Sequence, residues 1–152
     1  MKVQGSHLLP GTREEVWDLL TNPLRLAKLL PGCEALEPAG PDRYKVSVKF
    51  GIAAITGKYA GSVELTEKKQ PASLRMRVEG KGIPGFMKGE GLLELRARSG
   101  QTEIKYNGEA QVGGLIASVG QRMIEGAAKK IIQQFFESAA VELQSASHSK
   151  KP

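Results

Sequence analysis

The sequence predicts an α+β fold in which a curved antiparallel sheet of about seven strands wraps round one long carboxy-terminal helix. Two observations carry this prediction. Apolar residues occupy every second position through the middle of the chain, and they recur every three or four positions in its last third. A helix-capping pattern after the first apolar segment adds two short helices near the amino terminus.

Local chemistry bounds the amino-terminal elements. A first strand is expected over residues 2–9, and the proline and glycine that follow end it. Thr12 and Glu15 have the spacing of a capping box, in which each side chain accepts a hydrogen bond from the other residue's backbone N–H. A helix over residues 13–21 should therefore follow, with a second short helix over residues 24–29.

The middle segments have one apolar and one polar face. Their apolar positions are Tyr44, Val46, Val48 and Phe50, then Tyr59, Gly61, Val63 and Leu65, then Leu74, Met76 and Val78, then Leu93, Leu95 and Ala97, and finally Ile104, Tyr106, Ala110 and Val112. A parallel sheet covered on both faces would read as continuous apolar runs, whereas this alternation is typical of an antiparallel sheet with one solvated face.

The last third of the chain predicts one long helix that starts at residue 113. Its apolar stripe consists of Leu115, Ile116, Val119, Met123, Ile124, Ala127, Ala128, Ile131, Ile132, Phe135 and Phe136. Extended to Gln144, the helix would have about 30 residues and a length of about 45 Å. We expect it to lie across the dry face of the sheet.

Size and composition suit one domain. The chain has 152 residues, of which 40% are hydrophobic, and we expect a single domain over residues 1–144 and a polar, disordered tail over residues 145–152. The formal net charge is +6, but the basic residues of the strands alternate with glutamates, and only 5% of residues are aromatic. Because single-stranded nucleic acid is bound through exposed stacking aromatics, we expect no nucleic-acid partner.

The sequence is compatible with a reducing cytoplasm. Cys33 is the only cysteine, so no intramolecular disulfide can form. The amino terminus lacks the apolar core of a secretory signal, and no apolar run approaches the roughly 18 residues that cross a bilayer. We therefore expect a cytoplasmic protein whose contact with the membrane, where there is one, is peripheral.

Two glycine-rich segments interrupt the strands. Residues 50–58 form either an apolar hairpin or a single bent connection. Residues 81–89 place Ile83, Phe86 and Met87 in a segment that we expect to be irregular. This second segment is either a turn whose apolar side chains fold back on the core, or a flap over a cavity mouth that can dip into a membrane.

The sequence offers few candidates for catalytic or metal-binding residues. His7 and Cys33 are the one pair that sequence leaves open for acid-base or nucleophilic work, and Cys33 in a Pro-Gly-Cys turn is more often a packed residue. Two histidines and one cysteine lack the short ligand spacings of zinc sites. We expect no catalytic residues, no metal and no covalent cofactor.

Four segments resemble the CoxG family, the G subunit of carbon monoxide dehydrogenase. They are LLPGCEALE at residues 29–37, GKYAGSVELTE at 57–67, GKGIPGFMKGEGLLEL at 80–95 and VGGLIASVGQRMIEGAAKKIIQQFF at 112–136. The order of elements is likewise similar to the helix-grip fold of the START-like, Bet v 1-like (SRPBCC) superfamily. The resemblance implies a small accessory protein with a quinone or lipid in an apolar cavity. It also implies a molybdenum-containing carbon monoxide dehydrogenase as partner and a link to the inner face of the membrane.

The cavity is expected between the sheet and the long helix. Small inward residues leave space there, although an ordinary filled core remains the alternative. The predicted lining is Val46, Val48, Val63, Leu65, Met76, Val78, Leu93, Ile104, Tyr106, Val119, Met123 and Ile124. Tyr44, Tyr59 and Arg122 are candidate contacts for a polar headgroup, and Ile83, Phe86 and Met87 for a flap at the mouth.

These expectations lead to three hypotheses of function. The first is a non-enzymatic carrier of a hydrophobic quinone or lipid that serves a molybdenum hydroxylase, either by carrying its electron acceptor or by docking it near the membrane. The second is an enzyme of the polyketide cyclase or hydrolase type, which the same fold supports elsewhere. The third is an assembly module without a small ligand.

Overall fold

The computed structural model describes residues 1–52 and 55–149, with side chains up to residue 145. In chain order the elements are β1 (Lys2–Leu9), α1 (Arg13–Thr21), α2 (Pro23–Leu29), β2 (Cys33–Pro38), β3 (Arg43–Phe50), β4 (Gly57–Lys69), β5 (Ser73–Gly82), β6 (Gly85–Arg98), β7 (Gln101–Gly113), a 3-10 helix (Leu115–Val119) and α3 (Gln121–Ser149).

The seven strands form one antiparallel sheet in the order β1-β7-β6-β5-β4-β3-β2. β1 and β2 are the two edge strands, and α1 and α2 connect them. α3 packs against β1, α1 and α2 and lies on the apolar face of the sheet. This architecture confirms the predicted α+β helix-grip fold.

The two short helices begin where the sequence predicts. The Thr12 hydroxyl accepts the Glu15 N–H at 3.2 Å, and a Glu15 carboxylate oxygen accepts the Thr12 N–H at 3.2 Å, so the capping box is present. Asn22 ends α1 and then caps α2, because its side-chain oxygen accepts the Leu24 N–H at 3.1 Å. Both helices bury leucines against the sheet.

The predicted start of the long helix is wrong. β7 continues to Gly113, and the next residues form a short 3-10 helix instead of the first turns of α3. Gly120 has φ of 98°, a left-handed backbone conformation that an α-helix cannot contain and that glycine adopts without steric cost. α3 therefore starts at Gln121. Its backbone continues over residues 145–149, where the sequence predicted a tail, and residues 150–152 lie outside the described part of the chain.

Both glycine-rich segments connect neighbouring strands. The prediction of an irregular segment at residues 81–89 is wrong. β5 and β6 remain paired up to Gly82 and Gly85, so only Ile83 and Pro84 form the turn. Residues 51–56 join β3 to β4, which pair as far as Phe50 and Gly57, as expected for the hairpin alternative. Residues 53 and 54 lie outside the described part of the chain.

The buried residues divide into two clusters. The larger one, here called the packed cluster, joins α1 and α2 to the sheet and to the second half of α3; its most deeply buried members include Val16, Leu19, Leu26, Leu29, Leu74, Ile104 and Leu143. The smaller one, here called the tip cluster, consists of Phe50, Ile55, Tyr59, Ile116 and Ala127. The core is therefore not continuous from one end of the sheet to the other.

Candidate functional site

A cavity of about 310 Å³ lies between the concave face of the sheet and α3. Its walls are almost entirely apolar. They include Val63, Leu93 and Phe136 of the packed cluster as well as Phe50, Tyr59 and Ala127 of the tip cluster. The cavity thus occupies the gap between the two clusters, and its volume lies at the lower end of the range for small-molecule pockets, about 300–1,000 Å³.

Glycines make the floor of the cavity. The inward positions at the centre of β4, β5, β6 and β7 are Gly61, Gly80, Gly89, Gly91 and Gly108. Neighbouring Glu79, Lys88 and Glu90 also border the cavity, but they are exposed and lie at outward positions, so they contribute backbone rather than charge. Without glycines here, side chains would fill the space that α3 leaves open.

Two of these glycines also allow neighbouring strands to approach closely. A Cβ atom on Gly61 would overlap the carbonyl oxygen of Glu79, and one on Gly108 would overlap that of Glu90. A Cβ on Gly80 would instead meet Met87 Cγ and Tyr59 Cβ at 3.6 Å, which is ordinary van der Waals contact. Glycine at the first two positions permits the strong curvature of the sheet, whereas glycine at Gly80 mainly leaves space.

The apolar stripe of α3 forms the roof. Ile124, Ala127, Ala128, Ile131, Ile132, Phe135 and Phe136 all border the cavity. They recur at three- and four-residue spacing, and two of them, Ala127 and Ala128, are small. The sequence predicted this stripe as the buried face of the helix, but of its members only Ile124 was assigned to the cavity wall.

The structure brings eight of the twelve predicted lining residues to the cavity wall: Val46, Val48, Val63, Met76, Val78, Leu93, Tyr106 and Ile124. The other four require correction. Leu65 and Ile104 lie in the packed cluster, further along the same strand faces. Val119 ends the 3-10 helix and Met123 lies in the first turn of α3; both side chains are exposed, and neither borders the cavity.

The candidate headgroup contacts are separated by the fold. Tyr59 borders the cavity, but its hydroxyl donates a hydrogen bond to the Ile55 carbonyl at 3.0 Å, and burial raises the pKa of the phenol, so it stays neutral. Tyr44 is buried at the beginning of β3 and does not reach the cavity wall. Arg122 is exposed in the first turn of α3. The structure therefore contradicts the predicted headgroup role of Tyr44 and Arg122.

The predicted flap residues take different positions. Ile83 is 94% exposed at the turn between β5 and β6, and Phe86 on the outward face of β6 is partly exposed. Met87 points the other way and borders the cavity next to the tip cluster. The turn is a tight two-residue hairpin, so Ile83 protrudes from paired strands.

An aromatic stack borders the cavity on the side of β1. The ring centroids of His7 and Phe136 are 4.4 Å apart, and those of Tyr106 and Phe136 are 5.5 Å apart. Tyr106 and Phe136 both border the cavity. Within residues 1–52 and 55–145, the Tyr106 hydroxyl forms no hydrogen bond, and it lies against Gly5 of β1, where an added Cβ atom would be 2.6 Å away. Alternation along β7 predicted that Tyr106 faces inward, where its hydroxyl needs a hydrogen-bond partner.

The described residues do not assemble a catalytic or metal-binding cluster. The Cys33 thiol lies near the Ala35 carbonyl at 3.5 Å, and burial raises its pKa, which disfavours the nucleophilic thiolate. His7 is on the opposite edge strand of the sheet, and burial lowers its pKa. Among the described side chains, no three potential ligands from His, Cys, Asp and Glu converge. No helix in the described part of the chain is long and apolar enough to span a bilayer.

Comparison with known proteins agrees with this architecture. The CoxG family, described as the G subunit of carbon monoxide dehydrogenase, matches residues 5–144, which confirms the resemblance seen in the four sequence segments. A conserved protein from Geobacillus kaustophilus has a crystal structure that is 40% identical over 96% of this chain and 97% of its own, with a TM-score of 0.92. No curated protein matches the sequence.

More distant structures share the fold alone. A START superfamily protein from Mycobacterium smegmatis is 9% identical, has a TM-score of 0.77 and covers 95% of this chain and 98% of its own. Ara h 8.0201 is 14% identical, has a TM-score of 0.70 and covers 95% of this chain and 98% of its own. These similarities extend over the whole sheet and α3, so the fold is START-like and Bet v 1-like.

Proposed function

The chain belongs to the CoxG family, and from this premise we propose that it is a non-enzymatic accessory protein that holds a hydrophobic quinone or lipid. The observation that carries the proposal is the apolar cavity of about 310 Å³ between the glycine floor and α3. A cavity with these walls offers a ligand little beyond removal of its apolar surface from water. That removal contributes about 2.5 kcal/mol for each 100 Å² of ligand surface buried.

The polar end of the ligand has a candidate partner at the side of β1. A quinone carbonyl or a lipid ester accepts hydrogen bonds, and Tyr106, whose side chain borders the cavity, carries its hydroxyl against Gly5 of β1. Phe136 stacks beside Tyr106, and this flat aromatic surface suits a quinone ring. We therefore place the ring or headgroup beside β7 and β1, and the isoprenoid or acyl chain along the glycine floor.

The family points to the biological context. CoxG proteins are named as a subunit of carbon monoxide dehydrogenase, and we propose that this chain serves a molybdenum-containing dehydrogenase of that kind or a related hydroxylase. It would act in the cytoplasm, either by carrying the quinone that accepts the electrons of the enzyme or by docking the enzyme at the inner face of the membrane. In neither role does the chain need catalytic groups of its own.

Binding should depend on the empty space above Gly80. The variant Gly80→Leu places a branched side chain in the cavity, where a Cβ atom meets only side chains at van der Waals distance. Native mass spectrometry with menaquinone and with a fatty acid should show ligand on the wild-type protein and about a tenfold or greater loss of affinity in the variant. The matched control is Ala60→Leu, which adds the same bulk to the exposed face of the neighbouring strand.

Two outcomes would contradict the proposal. One is a wild-type protein that binds neither menaquinone nor fatty acid and is recovered empty from its source cell. The other is a substrate screen that finds turnover sensitive to Cys33→Ala or His7→Ala, which would favour the cyclase or hydrolase hypothesis instead.

A further inference from the structure

One end of the molecule carries an exposed apolar cluster outside the cavity. This cluster, here called the apolar tip, consists of Ile83, Phe86, Leu115, Val119 and Met123. Ile83 is 94% exposed and Leu115 is 73% exposed. The hairpin turn that carries Ile83 and the 3-10 helix that carries Leu115 are neighbours, and exposed apolar side chains on neighbouring segments indicate an interaction site.

The apolar tip is fixed by hydrogen bonding between two parts of the chain. The Ile116 N–H donates to the Pro84 carbonyl at 2.8 Å, so the 3-10 helix is attached to the hairpin turn. Phe86 pairs with Gly113 in the sheet register, and Ile116 is buried directly after the exposed Leu115. The exposed side chains therefore project from an ordered support and not from a frayed loop.

Positive charge surrounds the apolar tip. Five exposed cations lie near the ends of the strands and the start of the helix there: Lys49, Lys58, Lys81, Lys88 and Arg122. Within the described side chains, none of these five forms an ion pair. Further along the same sheet face, Arg75 and Arg77 both pair with Glu90. Exposed basic side chains thus lie at the same end of the sheet as the protruding apolar ones.

We propose that the apolar tip is a membrane-contacting surface whose partner is a bilayer with anionic headgroups. A small group of apolar side chains on a protrusion can enter a deformable lipid interface, whereas a protein partner of standard size requires a broad complementary patch. The five unpaired cations match anionic lipid phosphates in sign and would lie at headgroup level when Ile83 and Leu115 insert.

This surface also lies next to the cavity. Ile116, at the base of the apolar tip, packs in the tip cluster with Phe50, Ile55, Tyr59 and Ala127, and all four of these border the cavity. The tip cluster therefore adjoins both the cavity and the base of the apolar tip. A hydrophobic ligand could pass between bilayer and cavity here without crossing water, a consequence that rests on the proposed function.

Vesicle flotation tests the proposal. The full chain is mixed with vesicles of phosphatidylcholine alone or of phosphatidylcholine with an equal amount of phosphatidylglycerol, and it should float only with the anionic vesicles. The double variant Ile83→Asp with Leu115→Asp should lower this partition about tenfold or more. Leu24→Asp is the matched control, because Leu24 is 81% exposed at the start of α2, a helix that packs with α1, β2 and α3.

The charge contribution is measured separately. Lys81→Gln and Lys88→Gln should each lower partition to anionic vesicles about fivefold, and the loss should diminish in high salt. The proposal is overturned if the double variant floats like the wild type, if Leu24→Asp loses as much, or if light scattering shows that the apolar tip instead joins two copies of the chain.

The same samples distinguish this inference from the proposed function. Menaquinone binding is measured by native mass spectrometry without vesicles, in the wild type and in the double variant. Vesicle binding without menaquinone or fatty-acid binding would remove the carrier and keep the membrane surface. Ligand binding without flotation would remove the membrane surface and keep the carrier.

Discussion

The packed cluster and the tip cluster differ in how completely they are filled. Most members of the packed cluster are at most 2% exposed, and α1, α2, α3 and five strands contribute to it. The tip cluster has five members, gathered from β3, β4 and their connection, the 3-10 helix and the first turns of α3. One end of the sheet is therefore a dense core, while the other is a thin layer with a cavity behind it.

This difference separates stability from binding. The dense end can supply the free energy of folding because it excludes water completely and satisfies its buried polar groups. There the buried Thr102 hydroxyl donates to the Gly11 carbonyl at 2.8 Å. The thin end can leave space for a ligand because it does not have to hold the sheet and helix together. Substitutions at the two ends should consequently affect different measurements.

The largest effect is expected from truncation in the packed cluster. Leu19→Ala removes a side chain with no solvent exposure and should lower the free energy of unfolding by about 3–5 kcal/mol. Ile116→Ala should cost only about 2 kcal/mol, because the new space adjoins an existing cavity and an irregular segment that can collapse into it. Urea denaturation of both variants checks the comparison, and equal losses would show that the two ends are equally well packed.

A second test concerns the floor between the clusters. Gly108→Ala should lower the free energy of unfolding by about 1–3 kcal/mol, because the added methyl group overlaps the Glu90 backbone and the strands must separate. Gly80→Ala adds the same group at van der Waals distance from Met87 and Tyr59, so stability should stay within about 0.5 kcal/mol. Thermal or urea unfolding distinguishes the two. If both variants unfold alike, strand approach at Gly108 is not what requires glycine there.

Sequence predicted those elements whose ends are set by local chemistry. β1 and α1 have the expected bounds because a Pro-Gly pair ends the strand and the Thr12–Glu15 capping box starts the helix. The predicted start of α3 was wrong because it too is set locally, by the backbone conformation of Gly120. Helical spacing of apolar residues continues from Leu115 across Gly120, and periodicity alone carries no information on the positive φ of that glycine.

The sequence could predict an apolar cavity between the sheet and the long helix, but not its position along the strands. Alternation identifies which residues of a strand point inward, and it does so equally for Val63 and Leu65 on β4. Only Val63 borders the cavity, since the place where α3 diverges from the sheet decides which inward residues meet a helix and which meet space. That divergence depends on the glycines of four strands together, a tertiary effect that no single segment encodes.

A smaller effect is expected at the solvent face of α3 above the cavity. Gly126 lies in the helix interior, and a Cβ atom added there would meet nothing within 4 Å, so Gly126→Ala should stabilise the protein by about 1 kcal/mol. Ligand affinity should not change, because Gly126 does not border the cavity. Urea denaturation with a parallel menaquinone titration checks both statements. Weaker binding in the stabilised variant would indicate that flexibility of α3, and not only space beneath it, is needed for the ligand.

The last and smallest effect is a pH dependence that should change the free energy of unfolding and not the affinity for the ligand. Burial beside Phe136 lowers the pKa of His7 from its ordinary value of 6.5, and the nearby Glu137 carboxylate partly offsets the shift. The unfolded chain therefore binds this proton more readily than the folded one. The contribution of His7 is present in full above pH 6.5 and is lost as the pH falls through the lower, folded pKa.

Urea midpoints at successive pH values should thus decline on the acid side in the wild type and decline less in His7→Phe. Glu137→Gln should steepen the decline, because it removes the one charge that favours the imidazolium. Menaquinone affinity should stay constant over the same range, since His7 does not itself border the cavity. A ligand affinity that follows the His7 titration would instead mean that the charge of His7 acts on the ligand through Phe136, and that stability and binding share this titration.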